Sequence, residues 1–110
     1  MDKLEAVSAL SALAQPTRLD VFRLLVKAGS RGMTSGGIGE KLGVRQNTMS
    51  ANLAVLARSG LVRGERDGRN VHYFADIEGI RTLLGFLLED CCGGSAEQCG
   101  PLLDEITQMC

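Results

Sequence analysis

The sequence predicts a mainly α-helical domain with one small β-hairpin, in the order α-α-α-α-β-β-α. Three observations support this fold class. Apolar residues recur at helical spacing in five segments of the 110-residue chain. Two short strand candidates lie between the fourth and the fifth of these segments. They are separated by Asp67-Gly68, a dipeptide typical of tight hairpin turns.

The first two helices are indicated by apolar spacing and by residues that start or stop a helix. Pro16 stands where a second helix can begin, and Gly29 stops it. The apolar positions are Leu4, Val7, Leu10 and Leu13 in the first helix, and Leu19, Phe22, Leu25 and Val26 in the second. Both segments are therefore predicted to be amphipathic helices.

A short third helix follows, and Thr34 can cap its beginning. It carries Ile38 and Leu42 and ends at Gly43. Three further glycines, each costing about 1 kcal/mol relative to alanine in a helix, oppose this interpretation. They are Gly36, Gly37 and Gly39.

The fourth helix is predicted from Val44 to Gly60, with Met49, Leu53 and Leu56 on one face. The strand candidates, Leu61-Val62-Arg63 and Asn70-Val71-His72-Tyr73-Phe74, follow it. We expect His72 to point to the side opposite Val71 and Tyr73, as an exposed strand residue rather than a ligand.

A last long helix is predicted from about Asp76 to Cys92. Its apolar stripe consists of Ile77, Ile80, Leu84, Leu87 and Leu88, with Leu83 widening it and Phe86 on the opposite side. Such a helix is more apolar than the core of one small domain demands. We therefore expect this helix and the first one to pair across a two-fold axis, which makes the protein a homodimer.

Length and composition indicate one compact domain. The chain is 45% hydrophobic and 23% charged, which is ordinary for a globular protein. No apolar run approaches the length that spans a membrane, and the N-terminus lacks the basic-then-apolar order of a secretory signal. The sequence thus predicts a cytoplasmic protein without a membrane partner.

Charge is distributed unevenly along the chain. Residues 1–40 carry five basic and four acidic side chains (+1), and residues 41–73 carry six and two (+4). Residues 76–110 carry one basic and seven acidic side chains (−6). A positive middle beside an acidic end suggests that only the middle faces a polyanion, although an ordinary solvated surface is the alternative.

Two short helices joined at Gly43 and followed by a hairpin form the pattern of a winged helix-turn-helix, which binds double-stranded DNA. With the apolar residues of the fourth helix inward, small and polar side chains lie on its outer side and flanks: Gln46, Asn47, Thr48, Ser50 and Ala51. Amide and hydroxyl groups suit base edges. A merely solvated face would carry Lys and Glu, and residues 46–57 contain neither.

Arginines around this helix are candidates for phosphate or minor-groove contacts. They are Arg45, Arg58, Arg63, Arg66 and Arg69. Arg66 and Arg69 flank the hairpin tip, at the end of the wing. For Arg58 and Arg63 a solvated surface charge is the alternative.

Five segments of the chain together resemble one protein family. The segments are Gln15-Pro16-Thr17-Arg18-Leu19, Leu42-Gly43-Val44-Arg45-Gln46-Asn47-Thr48-Met49-Ser50, Leu53-Ala54-Val55-Leu56, Ser59-Gly60-Leu61-Val62 and Arg66-Asp67-Gly68-Arg69. In this order they resemble the ArsR/SmtB family of metal-responsive repressors, over roughly residues 4 to 92. The resemblance implies a homodimer that binds a near-palindromic operator and leaves it when an inducer binds.

Two positions depart from the family pattern. Arg45 stands where the family often has a helix-capping serine, and Asn52 where a histidine is common. Two familiar inducer sites are also missing. Residues 38–45 contain no cysteine, and the last helix contains no histidine.

All four cysteines lie in the last twenty residues: Cys91, Cys92, Cys99 and Cys110. The first three resemble the C-terminal arsenic-sensing cysteines of one branch of the ArsR repressors. Three thiolates complete the shell of three-coordinate As(III), with Sb(III) as its mimic, whereas Zn²⁺ prefers four ligands. We therefore expect Cys91, Cys92 and Cys99 to bind As(III) as inducer and no cofactor to be required. Cd(II), Pb(II) or Zn(II), completed by Cys110 or a carboxylate, is the alternative.

The sequence allows other interpretations of the function. In a redox or sulfide-responsive switch, Cys99 would form a disulfide with Cys91 or Cys92. The surrounding acids Glu89, Asp90 and Glu97 disfavour the thiolate that this needs, so we rank it second. An enzyme lacks support, because the chain has no Cys-x-x-Cys and no nucleotide-binding loop. A plain protein-interaction module leaves the polar face unexplained.

Residues 1–92 are thus expected to form a DNA-binding and dimerisation domain. Residues 93–110 are expected to be its cysteine-bearing tail. Metal binding would order this tail and shift how two protomers sit on the operator.

Overall fold

The computed structural model describes residues 1–89 and 96–109, and most of them are helical. The helices are α1 Lys3–Leu13, α2 Pro16–Ala28, α3 Ser35–Leu42, α4 Gln46–Arg58, α5 Ile77–Leu87 and α6 Ala96–Met109. The strands are β1 Met33–Thr34, β2 Val62–Asp67 and β3 Asn70–Ala75, and a 3₁₀ turn spans Gly29–Arg31. The predicted order of four helices, hairpin and helix is confirmed, and β1 and α6 are additions to it.

The hairpin forms a three-stranded antiparallel sheet with β1, in the order β1-β3-β2. Asp67 pairs with Asn70, so the turn consists of Gly68 and Arg69, one residue later than predicted. Gly68 has a φ of 64°, which a glycine adopts without steric cost. His72 pairs with Thr34 of β1, which leaves it half-buried in the middle strand rather than exposed.

Helix α4 faces the core as predicted. Its Met49, Leu53 and Leu56 are buried and pack with Leu25 of α2 and Ile38 of α3. Leu61 and Val62 close this core from the sheet side. The apolar face of α4 therefore fixes which side of the helix is left for solvent.

Helix α1 buries a different face from the one that its large apolar residues form. Its buried residues are Ala6, Ala9 and Ala12. Leu4 is 78% exposed, and Val7 and Leu10 are also exposed. Alanines allow α1 to approach its neighbours closely, and Leu4 and Leu10 are left on the outside.

Helix α5 is shorter than predicted and, like α1, leaves most of its large apolar residues exposed. It begins after the capping Asp76 and ends at Leu87, so the prediction of a helix reaching Cys92 is wrong. Leu83 is its buried residue, while three members of the predicted stripe are exposed: Ile77, Leu84 and Leu87. Most of the stripe thus faces away from the core of its own chain, while Ile80 packs against that core.

The predicted tail contains a helix of its own. α6 includes Cys99 and carries Pro101 in its interior. An apolar groove of about 460 Å³ lies between α5 and α6 and is lined by residues such as Leu84, Leu103 and Ile106. Within residues 1–89 and 96–109, no helix has the length and apolar character needed to cross a bilayer.

Candidate nucleic-acid interface and cysteine site

The turn between α3 and α4 is held by one close backbone contact. Gly43 adopts a left-handed conformation (φ 69°) that ends α3. The amide of Val44 then donates to the carbonyl of Gly39 at 2.9 Å. A Cβ on Gly39 would lie 2.8 Å from the carbonyl oxygen of Val44. This glycine, which weakens the helix by propensity, is therefore required for the turn that sets the angle between α3 and α4.

The beginning of α4 is fastened from outside rather than by its own cap. Arg45 occupies the N-cap position, and its side chain makes no capping hydrogen bond. Instead, Gln46 Nε2 donates to Ser35 Oγ of α3 at 2.6 Å, and the amide of Thr48 donates to Asn47 Oδ1 at 2.9 Å. The absence of a capping serine is thus partly offset by a bond between the two helices.

Every residue of α4 that the sequence assigned to DNA is exposed. These residues are Arg45, Gln46, Asn47, Thr48, Ser50 and Ala51. We call them the reading face. Asn47, Ser50 and Ala51 point away from the core that Met49 and Leu53 enter, and Gln46 and Thr48 lie on the flanks, so the helix presents amide and hydroxyl groups outward. Their contact with bases remains a prediction.

The wing places two of the predicted arginines at its end. Arg66 lies in β2 and Arg69 in the turn, and both are exposed. Arg63 differs, since it pairs with Glu65 and its guanidinium lies 4.6 Å from the centre of the Phe74 ring. Arg63 is therefore engaged within the sheet, whereas Arg66 and Arg69 have no ion pair among the described residues.

Sequence reasoning missed a link between α1, α2 and α4. Arg18 Nε donates to the carbonyl of Ala12 at 2.6 Å, and Nη2 donates to the carbonyl of Ser11 at 3.4 Å. Its Nη1 reaches Asn52 Oδ1 of α4 at 3.5 Å, and Asn52 is 8% exposed. The signal was present in the sequence, because Arg18 stands four residues before the buried Phe22 on the same side of α2.

The cysteine site is described only in part. Cys99 of α6 is 5% exposed and disulfide-bonded. Cys91, Cys92 and Cys110 lie outside the described residues. Among the residues that are described, no three His, Cys, Asp or Glu side chains form a group that fits a metal ion. The ligand set Cys91, Cys92 and Cys99 stays a prediction.

A family model described as a helix-turn-helix domain matches residues 13–65. The chain is 35% identical over 78 residues to MJ1325, an uncharacterised helix-turn-helix-type transcriptional regulator of Methanocaldococcus jannaschii. This match covers 69% of the chain and 85% of the relative.

Solved structures of transcriptional regulators also match the chain. The DNA-binding domain of Mb0332 from Mycobacterium bovis, a homodimeric winged helix-turn-helix and a possible ArsR-family regulator, is 28% identical with a TM-score of 0.64. That match covers 76% of this chain and 74% of the other. A possible transcriptional regulator for arsenical resistance is also 28% identical, with a TM-score of 0.64 over 73% of this chain and 80% of its own. The chain therefore belongs to the winged helix-turn-helix transcriptional regulators, a DNA-binding rather than an enzymatic family, and has the fold of the ArsR-type members.

Proposed function

We propose that the protein is a homodimeric transcriptional repressor that holds double-stranded operator DNA with α4 and the wing. The observation that carries this proposal is the reading face. It is exposed, polar except for Ala51, and free of Lys and Glu, while the other side of α4 is buried in the core. Small amide and hydroxyl groups lose little on dehydration and can pair with base edges in the major groove. Arg66 and Arg69 would hold the flanking phosphates.

The homodimer is supported by the exposed apolar residues of α1 and α5. We call them the outer apolar face: Leu4, Val7, Leu10, Ile77, Leu84 and Leu87. An exposed apolar surface of this kind marks an interaction site. The Mycobacterium bovis neighbour is itself homodimeric. Two copies joined here would present two reading faces to one palindromic operator.

A binding assay on the protein's own promoter fragment tests the DNA proposal. Asn47→Ala should weaken specific binding by about 1–3 kcal/mol, because a bidentate amide contact to a base is lost. The matched control is Asn70→Ala, at the wing beside the turn, which should change affinity for specific and random DNA alike or not at all. Equal binding of wild type to promoter and random DNA at physiological salt would contradict sequence-specific repression.

For the inducer, we propose As(III) bound by the thiolates of Cys91, Cys92 and Cys99. Two of these cysteines lie in sequence between α5 and α6, and the third lies in α6 itself. An ion held by all three would tie the end of the outer apolar face to α6. The structure described as a possible transcriptional regulator for arsenical resistance has the same fold. Binding would then change how two protomers pair and loosen their grip on DNA.

Arsenite titration into the reduced protein–DNA complex tests this step. Wild type should release the fragment, and Cys91→Ser, Cys92→Ser and Cys99→Ser should each keep it while binding DNA normally. Cys110→Ser is the matched control and should respond like wild type. Retention of DNA by wild type at saturating arsenite would overturn the inducer proposal and leave the DNA proposal intact.

One observation favours a second candidate, a redox switch. Cys99 of α6 is disulfide-bonded. Two thiols joining as a disulfide release two protons and pass two electrons to an oxidant such as a peroxide. If DNA affinity falls on oxidation and is restored by dithiothreitol, and arsenite has no effect on the reduced protein, the redox switch replaces As(III) as the signal.

A further inference from the structure

We infer that a pocket between α1 and the C-terminal half of α4 binds an oxyanion of the phosphate class. The pocket measures about 240 Å³. Its polar lining comes from Ser8, Ser11, Arg18, Arg58 and Ser59. Two arginines and three serines therefore line one pocket, and none of the lining residues is acidic. The Ser59 hydroxyl already donates to the carbonyl of Val55 at 2.8 Å, so the hydroxyls of Ser8 and Ser11 are the ones that remain for an anion. Phosphate and sulfate are recognised in proteins by this combination of groups.

The positive charge of the pocket is not neutralised by the surrounding protein. The ion pairs among the described residues are Arg63–Glu65 and Arg81–Glu78, so neither Arg18 nor Arg58 has a carboxylate partner there. The hydrogen-bond acceptors of Arg18 are two carbonyls and one amide oxygen, all of them neutral. An anion entering the pocket would meet two cationic side chains without displacing an existing ion pair.

Arg18 is also held in position before any anion arrives. Its bonds to Ala12, Ser11 and Asn52 use one N–H at each of its three nitrogens. A guanidinium has five N–H donors, so two remain for a ligand. Because the side chain is already ordered, binding loses little rotamer entropy on this side of the pocket. The exposed Arg58 would supply the second, adjustable contact.

The position of Arg58 relates the pocket to the reading face. Arg58 follows Asn47 by eleven residues along α4. Eleven residues turn an α-helix to within about 20° of the starting direction and advance it by about 16 Å. Arg58 thus lies on the same side of α4 as Asn47, at the far end of the helix, whereas Val55 and Ser59 of the same pocket are turned toward α1. A phosphate of the DNA backbone and a free inorganic anion share the chemistry that this pocket recognises.

The first arm of the test uses inorganic phosphate and needs no DNA. The melting temperature of the full chain is followed while phosphate replaces chloride at constant ionic strength. It should rise in wild type, and this rise should fall to less than half in Arg58→Gln. Arg23→Gln removes the same charge from an exposed position of α2 outside the pocket and should behave like wild type.

The second arm measures DNA affinity against salt and rests on the proposed function. Arg58→Gln should lower the slope of log K against log salt by about one per protomer, and Arg23→Gln should leave it unchanged. A phosphate response that Arg58→Gln loses supports the pocket, and a changed slope beside it identifies the DNA backbone as a second source of the oxyanion. A changed slope without any phosphate response makes Arg58 an ordinary backbone contact and overturns the pocket. Identical behaviour of Arg58→Gln and Arg23→Gln in both arms overturns it. If wild type binds no DNA, the proposed function fails, and the phosphate arm still decides the pocket.

Discussion

Helices α1 and α4 contact each other in the fold and present different chemistry to the outside. α4 buries Met49, Leu53 and Leu56 and exposes amides and hydroxyls. α1 buries alanines and exposes leucine and valine. A helix whose large residues are inside has its outer surface free for a polar ligand. One whose large residues are outside needs another protein surface to cover them. The comparison separates a DNA-facing helix from a protein-facing helix within one small domain.

The largest expected effect comes from replacing one leucine of each helix by alanine. Leu53 is 1% exposed and Leu4 is 78% exposed. Leu53→Ala should lower the free energy of unfolding by about 2–5 kcal/mol, because it leaves a cavity in the core. Leu4→Ala should change it by less than about 0.5 kcal/mol in dilute protein, as an exposed substitution does. Chemical denaturation measures both, and equal losses would remove the distinction between the helices.

A charge on the outer apolar face should separate pairing from folding. Val7→Glu replaces an exposed residue, so helical content measured by circular dichroism should be unchanged. Two copies of the charge would meet across the two-fold axis, and operator affinity should fall about 100-fold as the second reading face is lost. Lys3→Glu, an exposed polar position on the same helix, is the control. A monomeric wild type in analytical ultracentrifugation would contradict this prediction.

The buried face of α4 could be predicted from the sequence, because its large apolar residues are the ones that enter the core. For α1 and α5 the sequence predicts a helix, but its large apolar residues do not mark the face that packs on the core. Their apolar stripes are the ones that the chain leaves exposed, and alanines or Leu83 take the inner positions. Apolar periodicity predicts that a helix face will be buried against another surface. By itself it does not predict whether that surface belongs to the same chain or to another one.

Helix α6 and the wing turn escaped prediction for local reasons. Pro101 removes a helical hydrogen bond, and Gly100 precedes it, so local propensity disfavours the helix that this segment forms. In the hairpin, Asp67-Gly68 and Gly68-Arg69 are adjacent alternatives. The pairing of Asp67 with Asn70 selects the second. Register of this kind depends on the whole sheet, including β1, which is too short to be seen as a pattern.

Helix α5 contains both kinds of surface, and two of its glycines sharpen the comparison. A Cβ on Gly79 would lie 1.8 Å from the carbonyl oxygen of Gly60, whereas one on Gly85 would meet nothing within 4 Å. Gly79→Ala should therefore cost about 1–3 kcal/mol by overpacking. Gly85→Ala should stabilise the dilute protein by about 0.5–1 kcal/mol through helix propensity. Thermal unfolding at two protein concentrations tests both, and a neutral Gly79→Ala would contradict the close approach of α5 to the turn after α4.

The smallest expected effect concerns the N-cap of α1, the protein-facing helix. The amide of Glu5 donates to Asp2 Oδ1 at 2.8 Å, and this bond lowers the pKa of the Asp2 carboxyl below its ordinary value of 3.8. A lowered pKa in the folded state means that the cap stabilises at neutral pH and that this contribution is lost as the pH falls through the folded-state pKa. Asp2→Ala should therefore be slightly less stable than wild type at pH 7, and the difference should disappear in acid. Asp2→Asn keeps a capping oxygen but has no titratable carboxyl. In this variant, position 2 should therefore add no pH dependence to the free energy of unfolding. A pH-independent difference between wild type and Asp2→Ala would show that the carboxylate cap does not contribute to the stability of α1.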